Sequence, residues 1–170
     1  MNRPAFPAGR PRLLRFLPRF LFSATEPAAY VVKAWLLVLV PTLALGAAVQ
    51  PLAGESAPVP AAMAKPLFIL LFVLVGPFLE TLLMVPLLWL LKRFAGPVLA
   101  VPGSALLWAG AHSLAAPVWG LVVWWAFLVL STAMLAWRER GVSTAVLLVT
   151  AIHGLHNMVA AAMAFAPGLG

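Results

Sequence analysis

Residues 67–91 read LFILLFVLVGPFLETLLMVPLLWLL, an unbroken apolar run whose single charged side chain is Glu80, close to its centre. A helix of this length and composition crosses a hydrocarbon core of about 30 Å. An ionisable group at the bilayer centre costs roughly 2.5–3.5 kcal/mol on insertion scales, so it turns toward a partner or a wet cavity. Pro77 and Pro86 flank the carboxylate, and each removes a backbone N–H and leaves a carbonyl one turn earlier without its usual donor. Kinks of that kind help to open a polar pocket. The same stretch therefore predicts both a membrane helix and a site within it.

The rest of the 170-residue chain agrees: 64% of it is hydrophobic, 9% is charged, and the mean hydropathy is +1.06. Soluble domains are about half apolar and a quarter charged. Four more apolar stretches, at about residues 31–49, 98–116, 121–137 and 142–165, bring the expected spans to five. They use up nearly the whole length, so residues 1–170 form a single all-α polytopic membrane helix bundle with no room for a soluble domain. The breaks carry prolines, Gly54, Glu55 and Ser56 in 51–66, the Lys92-Arg93 pair, Pro117, and Arg138-Glu139-Arg140-Gly141.

Basic residues set an orientation. Arg3, Arg10, Arg12, Arg15 and Arg19 precede the first span, Lys92 and Arg93 follow the second, and Arg138 and Arg140 follow the fourth. All fall on one side, with Lys65, Glu55 and an uncharged C-terminal tail on the other. The expectation is a multi-pass protein of a bacterial-type inner (plasma) membrane, N-terminus cytoplasmic and C-terminus outside. Residues 1–30 are its basic cytoplasmic segment. Within it, PRLLRFLPRFLF at 11–22 interleaves arginines with Leu13, Leu14, Leu17, Phe20 and Leu21, an interfacial pattern rather than a cleavable signal peptide. The net charge of +7 accordingly points to anionic lipid headgroups and not to nucleic acid. The absence of cysteine removes disulfides, thiolate metal sites and a thiol nucleophile.

The three histidines all fall within apolar spans, His112 in the third and His153 and His156 in the fifth. His153 and Asn157, at i and i+4, stack on one helical face; His156 lies about 60° round from His153 and reads as interhelical glue. Trp108 shares a face with His112 by the same spacing. A carboxylate with histidines to converge on it is a candidate functional site, although a structural Glu–His pair satisfies the same residues.

In order along the chain, Glu80-Thr81, Trp108-Ala-Gly-Ala-His112 and His153-Gly-Leu-His-Asn157 resemble the signatures of the CAAX protease and bacteriocin-processing family of intramembrane endopeptidases. These are Glu-Glu-x3-Arg, Phe-x3-His and His-x3-Asn on successive helices. Arg138 to Thr144 also resembles the polar turn of that family, and the likeness covers about residues 76–160. Any one motif is unspecific; the ordered set on three spans is not. Two positions depart from the pattern, Thr81 for the second glutamate and Val85 for the arginine. The short, basic chain is similar in particular to myxosortase-type members, which process C-terminal sorting signals.

The resemblance implies peptide hydrolysis by a glutamate-activated water. Glu80 would act as base with His112 orienting the water, His153 and Asn157 would stabilise the oxyanion, and Thr81 and Trp108 would be supports. The substrate would be a membrane protein with a hydrophobic tail. No cofactor is required in this scheme, and zinc held by Glu80, His112 and His153 is the alternative. A chain without aspartate has no aspartyl dyad, and neither Ser104 nor Ser113 has a rhomboid-like context. Two non-proteolytic readings also fit the buried polar set: a degenerate scaffold or immunity protein, and a proton or ion pathway.

Overall fold

The computed structural model describes residue 6, residues 11–52 and residues 66–165. Arg3, Arg10, Glu55, Ser56, Lys65 and the C-terminal tail therefore lie outside the described residues. Among those described, the backbone is helical almost throughout and contains no strand. The helices are α1 (Pro27–Val49), α2 (Pro66–Leu70), α3 (Gly76–Ala115), α4 (Trp119–Trp137) and α5 (Val142–Phe165), with a π-helical turn at Leu71–Val75 joining α2 to α3.

Four helical segments of the described chain are long and apolar enough to cross a membrane: Pro27–Leu52, Pro66–Ala115, Trp119–Arg140 and Val142–Met163. Five were expected, and the difference has a local cause. Lys92 and Arg93 do not end a helix, as their charge predicted; the helix runs on through them, and only Gly96 leaves helical geometry, at φ 75° and ψ 168°. The chain folds back there. Ser131 Oγ on α4 donates to Ser104 Oγ at 3.0 Å and lies 3.9 Å from Met84 Sδ. Met84 and Ser104 would stand about 30 Å apart on a straight helix at 1.5 Å per residue. The second and third expected spans are thus two legs of α3 on either side of a one-residue elbow.

That backbone conformation is essentially restricted to glycine, at a cost of order 1–3 kcal/mol for other residues. Gly96→Ala is expected to lower stability by about that amount, read as a lower thermal unfolding midpoint in detergent. A variant as stable as the parent would show that the elbow is not held at this angle.

α4 is the centre of the bundle. Every residue from Ala126 to Trp137 is buried, as suits a helix apolar all round. It packs against α1, both legs of α3, and α5. The outer faces of those helices are apolar and uncovered, with Val40, Leu83, Leu106 and Leu147 all more than 60% exposed. Water would penalise such a surface, whereas lipid does not.

Ahead of α1, the segment expected to be one amphipathic stretch is two short 3₁₀ turns, Arg12–Leu14 and Arg19–Phe22, each entered from an extended proline, Pro11 or Pro18. Leu14, Leu17 and Leu21 are buried, and Arg12, Arg15 and Arg19 are exposed. Tyr30 Oη donates to the Leu21 carbonyl at 2.9 Å and meets Trp137 edge-on at 5.2 Å. This ties the basic segment to the C-terminal end of α4, beside Arg138 and Arg140. Within α1, Pro41 cannot donate to the Leu37 carbonyl, and Trp125 Nε1 of α4 does so at 2.8 Å.

Candidate active site

The wall of the site begins as a defect in hydrogen bonding. In the π turn the Gly76 N–H reaches back five residues to the Leu71 carbonyl. The Phe72 carbonyl thereby loses Gly76, its donor in an α-helix, and the next residue, Pro77, has no N–H to offer. Asn157 fills the vacancy: its Nδ2 donates to the Phe72 carbonyl at 3.0 Å. One turn earlier on α5, Gly154 permits the approach, since a Cβ there would lie 2.7 Å from the Val73 carbonyl. The helix carrying His153 and Asn157 is thus seated against the segment that leads into Glu80.

Between these elements and α4 lies a cavity of about 340 Å³, whose polar lining is Glu80, His112, His153, His156 and Asn157. It sits at the end of the bundle where α3 passes into α4, with Ala115 and Trp119 on its wall. Arg138 and Arg140 are at the other end of α4. Glu80 Oε2 and His153 Nε2 are 3.8 Å apart, with the carboxylate side chain 30% exposed and the imidazole 8%. Neither Glu80 Oε2 nor His153 Nδ1 has a hydrogen-bond partner. Buried polar atoms are rarely left so in native proteins, and here both residues line a space large enough for water.

His112 is held differently. Its Nδ1 is 2.8 Å from the Trp108 carbonyl, which can only accept, so Nδ1 carries the proton. In a neutral ring that leaves Nε2 as an acceptor, the form in which imidazole orients water or takes a proton. Phe127 of α4 lies between the histidines, its centroid 5.3 Å from that of His112 and 5.6 Å from that of His153. Its far support is Trp108, stacked on it at 4.8 Å and 6°.

All four residues expected to be catalytic, Glu80, His112, His153 and Asn157, therefore line one cavity, contributed by both legs of α3 and by α5. Trp108 stands behind it, acting through its carbonyl and through Phe127. Thr81 is not part of it: the side chain is fully buried on the Met84 side of α3, and its hydroxyl has no hydrogen-bond partner. Val85 is also packed against the core. His156, expected to be interhelical glue, lines the same cavity, and its Nδ1 has no hydrogen-bond partner. A rotation of 60° from His153 keeps it within the arc that the cavity subtends.

Phe127, Gly154 and the Phe72 carbonyl are further parts of the site. Phe127 sits in an apolar run with no pattern to mark it; Pro77 was the available sign of a free carbonyl. Among the described residues, no group of three His, Cys, Asp or Glu side chains is gathered closely enough to hold a metal ion. Zinc on Glu80, His112 and His153 would need those side chains to draw together. Compared with protein-family models, curated proteins and solved structures, the chain matches none.

Proposed function

We propose that the chain is an intramembrane endopeptidase, in which Glu80 activates a water to hydrolyse a peptide bond of a membrane-anchored protein near its hydrophobic C-terminal tail. The observation that carries this reading is the convergence of Glu80, His112 and His153 on one cavity, with Glu80 Oε2 and His153 Nδ1 free of hydrogen bonds. A base, a water-orienting acceptor and a donor at one point are what amide hydrolysis requires.

The water proton passes to Glu80 while the oxygen bonds to the carbonyl carbon, with His112 Nε2 accepting from the same water. The imidazole of His153 donates to the oxyanion. Collapse then breaks the C–N bond, and the proton on Glu80 leaves with the amine. The two legs of α3 count as separate crossings in this reading, which gives five with the N-terminus cytoplasmic. Arg12, Arg15, Arg19, Arg138 and Arg140 then meet anionic headgroups of the inner leaflet. The cavity lies toward the outer leaflet, where the tails of exported proteins reside.

The test is to reconstitute the chain in nanodiscs with peptides bearing an apolar C-terminal tail and to read products by mass spectrometry, with and without a strong chelator. Cleavage that persists in chelator and falls by about 10²-fold or more in His112→Ala is the expected result. Cleavage lost in chelator would put zinc in place of the glutamate-only scheme. Absence of cleavage, with peptide still bound, would favour the substrate-binding scaffold. That second reading draws on Thr81 and Val85, which stand where the family signature has its second glutamate and its arginine.

A further inference from the structure

His156 is a half-buried titratable side chain at the cavity for which the scheme above has no task. It lines the same space as Glu80 and His153, and its Nδ1 is buried without a hydrogen-bond partner. Asn157, which the family likeness would make the second oxyanion donor, has one of its two amide hydrogens committed. Its amide is anchored at 3.0 Å on the Phe72 carbonyl, an acceptor that the π turn and Pro77 leave with no other donor. Releasing Asn157 would strand that carbonyl in the interior of the bundle, where an unpaired polar group is costly.

The two adjacent residues thus differ: the Asn157 amide is pinned to the backbone through one of its two N–H groups, whereas His156 has a buried ring nitrogen with no partner. We propose that His156 supplies the second hydrogen bond to the tetrahedral oxyanion, beside His153, and that Asn157 is a positioning residue holding α5 against the π turn. This rests on the endopeptidase reading and deepens it. An imidazole N–H satisfied only when the oxygen becomes negative stabilises the transition state more than the bound substrate, which is what an oxyanion donor must do.

The experiment uses the full chain in nanodiscs, a tailed peptide that the parent protein cleaves, and the same peptide with a phosphonate replacing the mapped scissile amide. His156→Ala is expected to lower kcat by about 10²–10³-fold with KM little changed, and to weaken phosphonate binding by a similar factor. His156→Gln, which keeps an N–H donor, should recover part of the loss. Asn157→Ala should instead lower the unfolding midpoint, which His156→Gln should not. Full activity in His156→Ala, or equal weakening of substrate and phosphonate, would overturn the assignment while leaving the endopeptidase reading intact. A parent protein that cleaves no peptide would remove that reading, and this one with it.

Discussion

Glu80→Gln is expected to abolish proteolysis, with a loss of about 10³–10⁴-fold, while leaving the protein folded. The amide is nearly isosteric with the carboxylate but cannot take a proton from water, so the change isolates the base. Folding is spared for a geometric reason. Glu80 Oε2 lies 3.8 Å from His153 Nε2, beyond hydrogen-bond reach, and has no hydrogen-bond partner for the substitution to break. Cleavage rates in nanodiscs and the thermal unfolding midpoint are measured side by side. An active Glu80→Gln would sink the mechanism. A variant that unfolds would make Glu80–His153 a structural pair.

Gly154→Ala should act in the opposite order, on structure first and on chemistry through it. The added Cβ would stand 2.7 Å from the Val73 carbonyl, a backbone atom that cannot swing aside as a flexible side chain would. Overpacking of this kind costs typically 1–3 kcal/mol. The relief available is to push α5 away from the π turn, which lengthens the Asn157 to Phe72 hydrogen bond and carries His153 and His156 with it. Misplacement by about 1 Å is enough to cost a reaction 10²-fold. Both a lower unfolding midpoint and a loss of activity of about that size are expected. Unchanged stability together with unchanged turnover would show that the contact yields freely.

The sequence made the helices legible because lipid-facing segments are apolar on every side, and it made most of the site legible because polar groups are so rare within them. Glu80, His112, His153 and Asn157 stand out against their surroundings, and the i, i+4 spacing on α5 places two of them together without further information. What escaped notice had no such contrast. The elbow at Gly96 carries no loop for composition to reveal, so a hydrogen-bonded helix runs where Lys92 and Arg93 marked a break. Phe127 is one apolar residue among many. His156 lines the cavity as well, because i+3 spacing from His153 still falls within the wide arc of helix that a cavity accepts. Thr81, one residue from Glu80, points some 100° away on the helix and is buried on another side.

The prolines of this bundle also carry information about register. Between lipid-facing helices apolar packing alone discriminates weakly, because a helix slid by one residue still meets hydrocarbon. A carbonyl without an intrahelical donor removes that indifference. With Pro41 in place, Leu37 accepts from Trp125, and a shift of α1 along α4 by a single step would leave one polar group stranded and another unsatisfied. The π turn and Pro77 together do the same for α5, leaving the Phe72 carbonyl to Asn157. Each proline, by deleting a local bond, addresses its helix to one partner at one height. Restoring the N–H by mutation would therefore loosen the assembly even as it repaired the helix.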